Sequence, residues 1–377
     1  MERYQSLFSP FEGTRLKLKN RVTMAPLFLG MANLDGTVNE ILLDHYREMG
    51  ASGIGMVVVE SSAIDPMGMG TPNMLRVDKD EFIEGLARLA KAIKDGGALA
   101  FLQINHTGRY AYHPERMGPS SIKMDYVTVK GMTSPEIEAT VKAYAASARR
   151  VKEAGFDGVE LHGGTGYLLV QFLSPRSNKR NDDFGRSLEN RMRFPLMVVD
   201  AVRDAVGGDF PVGYRFLAEE WLPDGLHPNE TTLFAKKLEE HDIDYLSVTT
   251  GTYESFFLPE YIEMEKKECY QIEFAEIIKR AVSRTPIIAA GRIQDPAKAE
   301  EILRGGKADL IGLARVLLAD PQWVLKARGE IAKHINICHP GCQFCMKRVM
   351  NTKISYCIHW EKEKRFAFQN RIGEQNK

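Results

Sequence analysis

An α/β fold, a closed (β/α)8 barrel followed by a short C-terminal cysteine segment, is predicted by three features of the sequence. Eight short β-branched runs alternate with longer amphipathic stretches, no G-x-G-x-x-G turn occurs, and four of the five cysteines cluster near the C-terminus. Continuous apolar runs suit parallel strands that helices cover on both faces. An open doubly wound sheet would normally carry a glycine-rich phosphate turn after its first strand. Here that strand ends instead in Met24, Ala25, Pro26 and Leu27. The 377 residues, 44% of them apolar, suffice for one large barrel.

The strands are expected at 22–25, 54–60, 99–104, 158–162, 212–215, 245–249, 287–290 and 310–313. Helical periodicity lies between them at 81–95, 134–154, 188–206, 229–241, 271–283 and 296–304. Two helices open on capping signals, Ser134 followed by Pro135 and Glu136, and Asp295 followed by Pro296. Proline suits the first turn because its ring already holds a helical φ. Long insertions at 105–133 and 168–187 follow the third and fourth strands. A barrel carries its active site at that end of the strands, so enlarged loops there point to function.

Fifty basic and fifty acidic residues give a formal net charge of zero, which argues against a nucleic-acid partner. The N-terminal stretch MERYQSLFSPFEGTRLKLKN has no apolar signal region, and no apolar run approaches the length of a membrane helix. A soluble, cytoplasmic protein is expected. In such a compartment clustered cysteines read as metal ligands before disulfides.

Polar residues recur at the C-terminal ends of the predicted strands: Gln103, His106, His162, Arg215 and Thr249. Five on different strands of one barrel suggest a shared cavity. Gln103 can donate and accept at once, which suits a flat heteroaromatic ring, and Arg215 can place fixed charge beside a ring that becomes anionic on reduction. The seventh strand runs into Gly291 and Arg292 and the eighth into Ala314 and Arg315. Small residues and arginines at these two turns match a barrel phosphate site. Cys338, Cys342, Cys345 and Cys357 form C-x3-C-x2-C-x11-C, able to hold zinc or an iron–sulfur cluster. Three close cysteines and one distant favour the cluster, while His334, His339 and His359 keep zinc open; Cys269 stands apart. Residues 1–335 are thus expected to form the barrel and 336–377 the cysteine segment with a polar tail.

The stretches LKNRVTMAPL, LQINHTGR, VELHGGTGYLLVQFLSPRSNKRNDDFGRSLENRMRFP, AAGRIQDPAKAEEIL and ADLIGLARVLLADP together resemble the Old Yellow Enzyme family over nearly all of residues 15–321. The cysteine tail is similar to the branch containing 2,4-dienoyl-CoA reductase, 2-enoate reductase and trimethylamine dehydrogenase, which carry FMN and a [4Fe–4S] cluster. The resemblance implies hydride transfer from FMN to an activated C=C bond of a small unsaturated carbonyl compound, a CoA thioester among the candidates. FMN contacts would be Ala25, Pro26, Leu27, Ser61, Gln103, Arg215, Gly291, Arg292, Ala314 and Arg315. Tyr167 stands at the position of the branch's proton donor, His162 at that of a substrate-anchoring histidine, and Tyr253 in the loop where dienoyl-CoA reductases place a second histidine.

This chain departs from the pattern in carrying Thr165 at the second anchoring position and a cysteine spacing of three then two residues. Multidomain relatives continue into FAD- and NAD(P)H-binding domains, whereas only 358–377 follow the last cysteine here. Electrons would then come from NAD(P)H directly, from a partner subunit or from a ferredoxin-like carrier. The family also makes a homo-oligomer an expectation by analogy. Two rival readings are an amine dehydrogenase, with Tyr110, Tyr112, Tyr167, Trp221 and Tyr253 as cage candidates, and a non-catalytic electron-transfer or scaffold subunit.

Overall fold

The computed structural model describes residues 4–124 and 127–373. Eight parallel strands close on themselves in sequence order: β1 (Val22–Met24), β2 (Met56–Ala63), β3 (Leu99–Asn105), β4 (Gly158–Gly163), β5 (Val212–Glu219), β6 (Tyr245–Thr250), β7 (Ile287–Ala289) and β8 (Leu310–Leu313). The pairing of β8 with β1 and of β1 with β2 shuts the barrel. Every strand foreseen from the sequence is present, with β2 and β5 running further toward the site than their apolar runs suggested.

The barrel interior is small, and two glycines make it closable. A Cβ on Gly158 would come within 2.1 Å of the Phe101 ring, and one on Gly213 within 2.0 Å of the Tyr245 ring. These two large rings, 6.0 Å apart, pack with Met56, Val58, Ile288 and Leu310. The N-terminal hairpin, Phe11–Glu12 paired with Lys17–Leu18, adds Phe11, Leu16 and Leu18 to the same cluster and corks the lower end. Truncating a buried ring such as Phe101 to alanine costs about 3–5 kcal/mol.

Helices α1 (Glu40–Gly50), α2 (Ile83–Lys94), α3 (Ser134–Glu153), α4 (Leu188–Val206), α5 (Pro228–Glu240), α6 (Ile272–Ala281) and α7 (Pro296–Arg304) cover the outside. The cap of α3 is one residue earlier than its sequence suggested. Thr133, not Ser134, accepts from the Glu136 amide, and the Glu136 carboxylate accepts from the Thr133 amide at 2.8 Å, a reciprocal capping box. Asp295 caps α7 as expected. Helix α1, absent from the helices expected from the sequence, begins on Asn39, whose side chain accepts from the Leu42 amide. Among the described residues no helix is long and apolar enough to cross a membrane.

Both insertions carry structure of their own. The first holds a three-stranded sheet (Arg116–Gly118, Ile122–Met124, Val127–Gly131) and the second a short helix, Leu168–Leu173. The buried Gln171 side chain ties them together. It accepts from the Arg109 amide at 3.0 Å and donates to the carbonyls of Thr107 and Gly166 at 3.0 and 2.8 Å. The cysteine segment lies against the barrel: the Ser355 amide donates to Leu29, and the Trp360 indole donates to the Leu318 carbonyl at 2.6 Å.

Candidate active site

Register decides which side chains meet at the upper mouth. Glu160 pairs with Gln103, His162 with Arg215, and Arg215 with Ser247 along neighbouring strands. Inward-facing residues of β3 to β6 therefore form a continuous polar floor. Gln103 Nε2 donates to Glu160 Oε1 at 2.8 Å, the Tyr245 hydroxyl donates to Glu160 Oε2 at 3.0 Å, and Arg215 Nη1 donates to Ser247 Oγ at 2.7 Å. Burial pushes the Glu160 carboxyl up to about 6, against the opposing pull of Arg215 and the two hydrogen bonds.

Above this floor sits an aromatic group. His162 packs edge-on against Tyr167, ring centres 4.9 Å apart, and the Tyr167 and Tyr253 hydroxyls share a hydrogen bond of 2.6 Å. A single parallel bridge between Thr165 and Thr252 joins the loops after β4 and β6 and brings the two tyrosines together. Tyr110 completes the group at 4.9 Å from Tyr253, with its hydroxyl taking a hydrogen bond from Arg109 at 3.0 Å. Glu254 lies 3.2 Å from the Arg109 guanidinium and also pairs with Arg176, which reaches Asp224 at 2.5 Å. Burial, followed by the Arg215 charge, lowers His162 to about 3, so its imidazole is neutral at physiological pH. Its Nδ1 is buried without a partner. Burial and the neighbouring Tyr253 hold the Tyr167 phenol well above its ordinary range, hence proton-bearing.

The predicted residues thus fall in three groups. Gln103, Arg215, His162, Tyr167 and Tyr253 converge on the mouth. Ala25, Pro26, Leu27 and Ser61 follow β1 or lie within β2 on its rim; the Ala25 amide donates to Leu313, and Ser61 Oγ is buried without a partner. Gly291, Arg292, Ala314 and Arg315 follow β7 and β8. Gly291 needs its glycine, with φ +108° and Gln271 Cβ within 2.9 Å of an added Cβ. Arg292 donates to the Glu265 and Cys338 carbonyls at 2.9 and 3.0 Å, and its buried Nη2 has no partner. Arg315 stands 3.7 Å from the Glu265 carboxylate and on the wall of the cysteine cavity. His106, also at a strand end, takes a local role: its Nδ1 accepts from the Gly108 amide at 3.0 Å.

That cavity is lined by all four expected cysteines, Cys338, Cys342, Cys345 and Cys357, with His359 and Phe344. All are free thiols; Cys269 does not line it. Burial raises Cys338 and Cys345 while the Arg315 charge opposes it, and burial pushes Cys357 up to about 11. His339 packs on His359 at 4.4 Å between ring centres. Among the described residues no three His, Cys, Asp or Glu side chains converge on a single-ion site.

The sequence alone did not point to Glu160 or Glu60, and it offered Tyr110 only as a cage candidate for an amine. Glu160 stands in plain view in the VELH run, but its partners lie 57 and 85 residues away. Glu60, fully buried on β2, accepts from the Leu29 amide at 3.0 Å, and burial raises its carboxyl to about 8.

Comparison with known proteins agrees with this architecture. Residues 6–334 match the NADH:flavin oxidoreductase / NADH oxidase family. An NADH oxidase of Thermoanaerobacter brockii is 37% identical over 91% of this chain and 54% of its own length. An NADPH dehydrogenase of Geobacillus sp. (strain WCH70) is 37% identical over 88% of this chain and 96% of its own. The solved 2-naphthoyl-CoA reductase in complex with 2-naphthoyl-CoA superposes with a TM-score of 0.90 at 30% identity, covering 94% of this chain and 57% of that one. The chain spans about half the length of the longer curated relatives it matches. Its barrel, the residues at the barrel's mouth and these matches make it a member of the NADH:flavin oxidoreductase / NADH oxidase family, the FMN-binding Old Yellow Enzyme type.

Proposed function

We propose that this chain is an FMN-dependent ene-reductase of the iron–sulfur branch, reducing the activated C=C bond of an α,β-unsaturated carbonyl compound, with CoA thioesters as the leading substrate class. The observation that carries the reading is the convergence of His162, Tyr167 and Tyr253 directly above the Gln103–Arg215 floor. The residues present fit FMN. Ser61 Oγ and Arg292 Nη2 are buried without partners, Gln103 keeps one amide N–H and its carbonyl free of Glu160, and Arg215 brings positive charge. Gln103 and Arg215 would hold the ring, and Gly291, Arg292, Ala314 and Arg315 the phosphate. The four thiols around one cavity fit a polynuclear cluster, which is wider than a single ion. When bound, FMN supplies the hydride and a [4Fe–4S] cluster passes single electrons.

The chain's own groups complete the addition. Neutral His162 donates to the substrate carbonyl and polarises the double bond, and Tyr167 gives its phenolic proton to the carbon that does not receive hydride. Tyr253, hydrogen-bonded to Tyr167, hands it a replacement proton. Reduction of 2-naphthoyl-CoA by the neighbour above supports the thioester class. The Arg292 contact to the Cys338 carbonyl supports adjoining flavin and cluster sites, with NAD(P)H or a donor protein as the electron source.

An anaerobic visible spectrum with flavin and iron counted on the same sample tests the cofactors, and turnover of enoyl-CoA against tertiary amines tests the chemistry. One FMN and about four irons per chain with thioester reduction are expected. Zinc without flavin, or amine oxidation alone, would overturn the reading.

A further inference from the structure

We infer that Glu160 is a positioning residue for the flavin: its carboxylate fixes which end of the Gln103 amide faces the isoalloxazine ring and offsets the charge of Arg215. The inference rests on the FMN reading and goes beyond it, since this acid lies beneath the groups expected to touch the ring. Glu160 and Gln103 are paired across β4 and β3, and both are essentially inaccessible to solvent.

An ionised carboxylate can only accept hydrogen bonds. With Gln103 Nε2 donating to Oε1 at 2.8 Å, the amide cannot flip without placing oxygen against oxygen. Gln103 is left with one N–H and its carbonyl directed elsewhere. That pair complements an imide edge, which offers a carbonyl acceptor beside an N–H donor. The Tyr245 hydroxyl, donating to the second carboxylate oxygen at 3.0 Å, keeps Glu160 from rotating away.

Charge is the second consequence. The groups facing Glu160 are Gln103 on β3, Arg215 on β5 and Tyr245 on β6, so Arg215 is the one cation set against this acid. Arg215 is hydrogen-bonded to the neutral Ser247 and has no carboxylate within ion-pair distance among the described residues. A negative Glu160 therefore mutes the field that Arg215 exerts on a ring gaining negative charge. Protonating or neutralising Glu160 unmutes that field and lets the amide turn over. Burial raises this carboxyl to about 6, which places the change just below neutral pH.

Potentiometric titration of the flavin, with binding constants for oxidised and reduced FMN, tests this on the wild type, Glu160→Gln and Tyr245→Phe between pH 5 and 8. Glu160→Gln should weaken oxidised FMN and raise the ratio of oxidised to reduced Kd by about tenfold, one pKa-unit equivalent. The steepening of the wild-type potential near pH 6 should vanish in that variant. Tyr245→Phe keeps the acid but removes a donor to the carboxylate, so the inflection should move to higher pH. Unchanged Kd ratios and pH profiles in both variants would overturn the inference while leaving the flavin reading intact. A Glu160→Gln chain that fails to fold leaves the decision to Tyr245→Phe. A wild type that binds no FMN would overturn both.

Discussion

The polar floor of the barrel mouth and the cysteine cavity are built on opposite plans. The floor is carried by strands β3 to β6, and the hydrogen bonds among its side chains are made within the protein: Gln103 to Glu160, Tyr245 to Glu160, Arg215 to Ser247. The cavity is carried by an irregular segment and surrounds itself with four free thiols, and burial raises those of Cys338, Cys345 and Cys357. A preorganised floor can receive a ring without rearranging, because its dipoles are already oriented. Thiols with raised pKa values must lose protons to become ligands, so on the proposed cluster reading metal would drive that site to completion. On that reading one site is finished by folding and the other by its ligand.

The sharpest way to break this comparison is Cys345→Ala. If the four cysteines hold the proposed cluster, removing one should take iron per chain from about four to near zero while the flavin-to-chain ratio stays at the wild-type value. Loss of flavin as well would show that the two sites are completed together. Tyr167→Phe comes next. It should lower kcat for enoyl thioester by about 10²–10⁴ and leave substrate Kd within a factor of two or so. Stopped-flow reoxidation of reduced enzyme reads that step.

Glu60 tests the floor's neighbour by pH. Its carboxyl sits at about 8 in the folded chain against an ordinary 4.5, so folding favours the protonated form. That preference is fully expressed below pH 4.5 and is lost as pH rises toward 8. Glu60→Gln keeps an acceptor for the Leu29 amide and cannot ionise. It should therefore equal the wild type near pH 4 and exceed it by about 3 kcal/mol at pH 7, read by urea melts at both values. The smallest effect belongs to His339→Ala. If thiols alone complete the cavity, iron content should change by less than about a tenth; a large loss would make this histidine a ligand.

The barrel was legible because continuous apolar runs and intervening amphipathic stretches repeat regularly along the chain. The mouth was legible in part, since Gln103, His162 and Arg215 each stand at the end of such a run. What stayed hidden depends on register. Nothing local to Glu160 says that Gln103 will lie opposite it, and nothing near Tyr253 announces a hydroxyl contact 86 residues away. The insertions hid their sheet and helix because short strands such as Ile122–Met124 carry no period to read. Arg315 was read as a phosphate ligand, and the fold also places it beside Glu265 and on the cysteine cavity wall.

The apolar hairpin that corks the lower end of the barrel has a consequence for how this scaffold can change over generations. Phe11, Leu16 and Leu18 close the lower end against Phe101 and Tyr245, and no residue of the loops after β3, β4 and β6 belongs to that cluster. Exposed side chains on the loops after β3, β4 and β6 can be exchanged without opening that lower end. Specificity is thereby free to drift while the fold beneath it is inherited intact.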